Sequence, residues 1–182
     1  MNSTTVYFNY VESPIGKLLL TSDGSGLTGL YFEAHRRGPE PGEGWERRDA
    51  LFSQARAELS EYFDCDRQKF NLKLALHGTP FQQRVWAALR AIPLGTTVTY
   101  KALAESIGAA AAVRAVGAAV GRNPVSIIVP CHRVIGSNGS LTGFAGGIGR
   151  KRWLLGHEQA AAGNPDVNRL QLTERQPNAV PV

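Results

Sequence analysis

The chain has 182 residues, 43% of them hydrophobic, enough to bury the core of one medium domain or two small ones. No apolar run approaches the roughly 20 residues of a membrane-spanning helix, and Met1-Asn2-Ser3-Thr4-Thr5 lacks the basic start of a secretory signal, so the chain reads as cytoplasmic. Formal net charge is +5 but uneven: residues 1–76 hold nine Lys and Arg against eleven Asp and Glu, whereas residues 77–158 hold nine against two, which fits a polyanionic partner such as DNA.

Residues 6–11, 17–21 and 27–32 are apolar runs separated by the turn signals Ser13-Pro14-Ile15-Gly16 and Asp23-Gly24-Ser25-Gly26, which predicts an antiparallel meander. Residues 35–48, dense in Gly, Pro and charge, read as an exposed loop. Leu51, Phe52, Ala55, Leu59, Tyr62 and Phe63 then recur at helical spacing, and residues 70–74 alternate as a strand. Nothing in this half forms a catalytic constellation, and it reads as structural.

The second half opens on a strong helix signal. Thr79 as N-cap, Pro80 at the first helical position and Gln82 form a capping box; Phe81, Val85, Ala88, Leu89 and Ile92 share one face, and Pro93-Leu94-Gly95 stops the helix. Thr99 caps a short helix through Ile107, Gly108 turns the chain, and an alanine-rich helix follows to about Val120, the outline of a helix-turn-helix. On that last helix Val113, Val116 and Val120 form a buried stripe, while Arg114 projects from a face of small residues, Ala111, Gly117, Ala118 and Gly121. The fold class is α+β. A small N-terminal antiparallel sheet with a helix, residues 1–76, is expected to precede a mostly helical C-terminal domain, residues 77–160, that contains the helix-turn-helix; residues 161–182, broken by prolines, read as a flexible tail.

Residues 126–129, Ser-Ile-Ile-Val, read as a buried strand whose mouth carries Pro130-Cys131-His132-Arg133-Val134. The thiolate is the nucleophilic form of cysteine, and a neighbouring histidine and arginine can lower a thiol's pKa enough to populate it at neutral pH. Cys65 and Cys131 follow no metal-ligand spacing and read as reduced thiols, with a single disulfide as the alternative.

From Gly78 to Glu158 the chain carries, in order, Gly78-Thr79-Pro80-Phe81-Gln82-Gln83-Arg84-Val85-Trp86, Ile92-Pro93-Leu94-Gly95, Thr99-Tyr100, Arg114-Ala115-Val116-Gly117, Gly121-Arg122-Asn123-Pro124, the Pro130 to Val134 run, Gly143-Phe144-Ala145-Gly146-Gly147 and Leu154-Leu155-Gly156-His157-Glu158. On these segments it resembles the O6-alkylguanine-DNA alkyltransferases, or methylated-DNA–protein-cysteine methyltransferases. Residues before about 76 match only loosely, and those after about 160 do not match.

The resemblance implies direct DNA repair, by stoichiometric and irreversible transfer of the alkyl group from O6-alkylguanine in double-stranded DNA to Cys131, with O4-alkylthymine a further substrate. The base must leave the stack, because its O6 lies inside the pair where no protein sulfur reaches the alkyl carbon in line. By the same resemblance His132 activates Cys131 through a bound water, Glu158 orients His132, Asn123 braces the turn before the cysteine, and Tyr100 contacts the flipped base. Arg114 fills the vacancy in the minor groove, with Thr99, Tyr100, Ala115 and Gly117 also on the DNA. Val134, Phe144, Ala145 and Gly146 line the base pocket, the Ala145 N–H serving the leaving oxygen. No cofactor and no metal is implied, and the protein is expected to be a monomer in solution that can cluster on DNA.

The residues alone leave His157, beside Glu158, as a rival base; the family pattern favours His132. Three departures stand out: Phe144 where many relatives have tyrosine, Ala110 where a proline often precedes the recognition helix, and no counterpart of the zinc ligands of some relatives. A damage-recognition protein of the alkyltransferase-like type would usually replace the cysteine with tryptophan, and Cys131 argues against it. A helix-turn-helix regulator would carry base-reading side chains where this chain has alanine and glycine.

Overall fold

The computed structural model describes residues 5–33 and 38–163. The three N-terminal runs become β1 (Val6–Val11), β2 (Leu18–Ser22) and β3 (Leu27–Phe32), paired antiparallel with Tyr10 opposite Leu19 and Leu20 opposite Leu30. In the second hairpin the Asp23 carboxylate accepts from the N–H groups of Ser25 and Gly26, the local bond that makes Asp a turn residue. A fourth strand, β4 (Trp45–Arg47), pairs parallel with β1 and gives the order β3-β2-β1-β4. It lies within the stretch expected to be a loop. Trp45 gives that polar run an apolar anchor, its ring 6.0 Å from that of Phe8.

Residues 70–74, expected as a strand, make only one bridge, Leu74 beside Leu27. The Leu27 N–H donates to the Lys73 carbonyl and the Ala75 N–H to that of Leu27. The pairing stops there because the same edge of β3 is taken further along by the other half of the chain, the Leu30 N–H donating to Pro124 O and the Ser126 N–H to Leu30 O.

Helix α1 (Ser53–Phe63) buries Ala55, Leu59 and Tyr62. Helix α2 (Pro80–Arg90) begins on the capping box read from the sequence: Thr79 Oγ1 accepts from the Gln82 N–H and Gln82 Oε1 from the Thr79 N–H. After β5 (Val98–Thr99), the Thr99 hydroxyl caps α3 (Tyr100–Ser106) at 3.0 Å from the Ala102 nitrogen. Gly108, at φ +68°, makes the turn that a side chain would strain. One 3-10 turn, Ala110–Ala112, leads into α4 (Val113–Val120), which starts without a side-chain cap. The Trp86 indole on α2 donates to Ala119 O at 2.9 Å and ties the two helices together. Strand β6 (Val134–Ile135) pairs parallel with β5, and α5 (Ile148–Ala161) follows.

The buried strand expected at residues 126–129 is instead a buried turn. The Ile128 N–H bonds to Ser126 O and the Val129 N–H to Val125 O, with Ile127 at φ +69°. A β-branched residue there is strained and persists only where its surroundings impose it. Asn123 imposes it: its Oδ1 accepts from the Val125 N–H at 3.0 Å and its Nδ2 donates to Val129 O at 2.7 Å.

One apolar core runs through both halves, joining Leu18, Leu20 and Leu30 of the sheet to Trp86, Val116, Val129 and Leu154. Full burial of each such side chain contributes about 1.5–3 kcal/mol. Among the described residues no helix is long and apolar enough to cross a membrane. The tail expected over 161–182 lies, from 164 onward, outside the described residues.

Candidate active site

Directly after the clamped turn the chain makes a 3-10 turn, Cys131–Arg133, with all three residues buried. His132 and Arg133 both turn inward to Glu158 on α5. His132 Nε2 lies 2.7 Å from Glu158 Oε1, while Arg133 donates from Nε to Oε2 and from Nη2 to Oε1, each at 2.8 Å. The Tyr62 hydroxyl of α1 donates to Oε1 at 2.9 Å. Burial by itself would push the Glu158 carboxyl up, but the His132 imidazole and then the Arg133 guanidinium hold it well below the usual carboxylate range. A charge taken out of water persists when it is paired and hydrogen-bonded in this way.

The second nitrogen of His132, Nδ1, is buried and has no protein partner. The Cys131 thiol is pushed up by burial, against the Asn123 side chain, the Lys151 ammonium and the backbone N–H groups of Cys131 and His132. This corrects the expectation that the adjacent histidine and arginine would populate the thiolate. Both side chains are committed to Glu158 instead. Both cysteines are free, which leaves no place for the alternative disulfide.

His157, the rival imidazole, faces away from Glu158. Its Nε2 is 2.9 Å from the Tyr62 carbonyl, its ring stacks on Trp153 at 4.9 Å, and Cys65 Sγ lies 3.9 Å from its Nδ1. Among the described residues no three His, Cys, Asp or Glu side chains group as metal ligands.

A cleft of about 370 Å³ opens between α3, α4 and the loop after β6, lined by Tyr100, Gly117, Ala118, Gly121, Phe144 and Ala145. The Tyr100 hydroxyl donates to Thr142 O at 3.2 Å; burial pushes its pKa up, and the neighbouring Cys131 adds to that. Phe144 sits between Phe32 of β3, at 5.6 Å, and His132, at 6.5 Å. Gly146 is buried against Phe32, where a Cβ would fall 2.4 Å from the ring. Val134 is buried at the start of β6.

The structure therefore brings together Cys131, His132, Glu158, Asn123 and Tyr100, and lines the adjoining cleft with Gly117, Phe144 and Ala145. Arg114 and Ala115 stand on the exposed face of α4, and Thr99 serves as a helix cap.

Sequence reasoning missed two participants. Tyr62 comes from the half read as purely structural, and helical spacing alone gave no sign of its reach. Lys151 was legible: with Leu154, Leu155 and Glu158 it falls at i, i+3, i+4 and i+7, the buried face of α5, and a charge at each end of an apolar stripe is a signal.

Fold and site together define a helix-turn-helix protein built around a buried free cysteine followed by a buried histidine–glutamate pair. The chain belongs to the 6-O-methylguanine DNA methyltransferase family: residues 80–160 match that family's DNA binding domain and residues 6–76 its ribonuclease-like domain, so the likeness also runs through the first half. It is 47% identical over 154 residues to a methylated-DNA–protein-cysteine methyltransferase of Methanosarcina barkeri, covering 85% of this chain and 98% of that one. A Haemophilus influenzae protein of the same name is 46% identical over 155 residues, covering 84% and 86%. Among solved structures, a Mycobacterium tuberculosis OGT in complex with DNA superposes with a TM-score of 0.79 at 45% identity, covering 90% of this chain and 98% of that one.

Proposed function

We propose that the protein repairs O6-alkylguanine in double-stranded DNA by moving the alkyl group onto Cys131, with the damaged base flipped into the cleft beside Tyr100 and Phe144. The observation that carries this reading is the buried His132–Glu158 pair that directly follows the buried Cys131, beside a cleft walled by the small residues of α4. Glu158, held ionised, fixes His132 through Nε2 and leaves Nδ1 to take the thiol proton by way of a water, as the carboxylate of a hydrolase triad orients its base.

The sulfur then displaces guanine from the alkyl carbon in line. The S–C bond forms as the C–O6 bond breaks, the electron pair stays on the guanine oxygen, and a proton equivalent to the one lost by the thiol neutralises the base. The Ala145 N–H stabilises the charge that develops on that oxygen. The product is a thioether, which neither water nor a second thiol readily reverses, so each molecule acts once. Arg114 occupies the vacancy in the duplex, with Thr99, Ala115 and Gly117 against the DNA, and Val134 and Gly146 shape the pocket. The protein works as a monomer in the cytoplasm, where free thiols persist.

The test is intact-protein mass after mixing with a duplex that contains one O6-methylguanine. One methyl increment is expected, on the Cys131 peptide, and none with Cys131→Ser. Transfer surviving in that variant would refute the assignment.

A further inference from the structure

Arg150 stands half-buried in the first turn of α5, and its guanidinium reaches three separate stretches of backbone. Its Nε donates to Ile15 O at 2.9 Å, in the turn between β1 and β2. Its Nη1 donates to Glu33 O, just past β3, and to Gly146 O, in the loop that walls the cleft, each at 3.1 Å. The guanidinium carbon also lies over the Phe32 ring, 5.4 Å from its centroid. Three of these four partners belong to the N-terminal half, and the fourth adjoins Ala145 and the cleft.

The loop has little in its own sequence to hold it in place. Gly143, Gly146 and Gly147 follow one another closely, and Gly143 and Gly147 sit at φ +62° and +88°. Glycine backbone has the widest choice of conformations, so a fixed course must be imposed from outside it. Before the loop, the Thr142 carbonyl accepts from the Tyr100 hydroxyl and from Lys151 Nζ. At its far end the Gly146 carbonyl accepts from Arg150. The Phe32 ring under the guanidinium leaves no room for a side chain at Gly146 and packs on Phe144 at 5.6 Å. Arg150 thus sits where the sheet, α5 and the cleft wall meet.

We propose that Arg150, seated on Phe32, is a positioning residue of the alkyl transfer: it fixes the Phe144–Gly146 loop against the N-terminal sheet, so that the first half of the chain sets the aim of the Ala145 N–H at the leaving oxygen. The inference rests on the reading of Cys131 as the alkyl acceptor and of the Ala145 N–H as the donor to the departing base. Electrostatic stabilisation of this kind acts through preorganised donors, so a loop free to shift loses it even with every pocket residue present. Lysine cannot substitute, because an ammonium presents its donors from one point whereas the planar fork spans carbonyls of three segments. Cys131 itself follows the turn that Asn123 clamps, and its own reactivity does not pass through Arg150.

The test separates aim from fold by following two reactions of Cys131 in a Cys65→Ser background, transfer from free O6-benzylguanine and alkylation by iodoacetamide. Arg150→Met and Arg150→Lys should both lower the saturating rate constant of transfer by about tenfold or more, change its half-saturation concentration by less than about threefold, and leave iodoacetamide alkylation within about twofold of the parent. A mere structural clip would lower the melting temperature and leave the rate constants of the folded variants unaltered, which overturns the proposal. A lysine variant that transfers at the parent rate overturns it too, as does an equal fall in iodoacetamide alkylation, which would place the effect at the thiol. If the parent itself takes no benzyl group, the reading of Cys131 as acceptor falls and this inference with it. If neither Arg150 variant folds, Phe32→Leu, which removes the ring between Arg150 and Phe144 but keeps an apolar side chain, should show the same split, and an unaltered saturating rate there overturns the proposal.

Discussion

The hydroxyl of Tyr62, on the helix of the N-terminal half, donates to Glu158 Oε1 at 2.9 Å, inside the network that orients His132. Removing it with Tyr62→Phe leaves the ring in place and deletes one buried hydrogen bond to a charged acceptor. Such bonds contribute about 1.5–3 kcal/mol, so chemical denaturation should show a loss of that size. Single-turnover repair should slow as well, because the carboxylate loses one of the contacts that fix it. A variant with unchanged stability and rate would show that the contact is incidental.

Glu158→Gln gives a pH signature. Folding holds this carboxyl below its ordinary value of 4.5, so its contribution is fully present above that value and is lost as pH falls through it towards the folded one. The stability gap between the native chain and the variant should therefore be widest near neutrality and narrow steadily below about pH 5. Urea unfolding at several pH values checks this, and a gap that widens in acid contradicts the pairing.

Gly146→Ala should distort the pocket loop. The added methyl would sit 2.4 Å from Phe32 and 2.9 Å from Phe144, and Phe32 is itself buried in β3 and cannot yield. Overpacking of this kind costs about 1–3 kcal/mol. A lowered melting temperature with slower reaction towards free O6-benzylguanine is the expected result, and a variant normal in both measurements would mean that the loop shifts freely.

Arg114→Ala should slow repair of duplex DNA far more than reaction with the free alkylated base, since only a duplex has a vacancy to fill. Equal loss in both assays would assign Arg114 to the chemistry or the fold. Duplex binding should also weaken steeply with salt, as lysine and arginine contacts release counterions.

What was legible in the sequence follows the range of the forces involved. The cap at Thr79, the cap at Thr99 and the turn at Gly108 are each decided within a few residues, and each lies where local chemistry put it. Residues 126–129 misled because an apolar β-branched run looks like a strand, whereas the backbone there answers to a side chain three residues upstream, Asn123. β4 was hidden because its pairing partner is some 40 residues distant and its composition is that of a loop. In the site, Cys131, His132 and Glu158 were readable as a family pattern. The upward push on the thiol's pKa was not, since it comes first from burial of Cys131, which only the folded chain creates.

The two segments that share the rim of β3 also bear on aggregation. An open sheet margin is a template for pairing with another chain, and natural proteins cover or blunt it. Here one margin is occupied by residues 73–75 and 124–126, and the other ends in a three-residue strand bearing Glu46 and Arg47 on exposed positions. Severing the chain after residue 76 would strip one of the two covers from β3 and uncover Leu18, Leu20 and Leu30, so the liberated N-terminal piece should self-associate into β-rich aggregates while the intact chain remains dispersed.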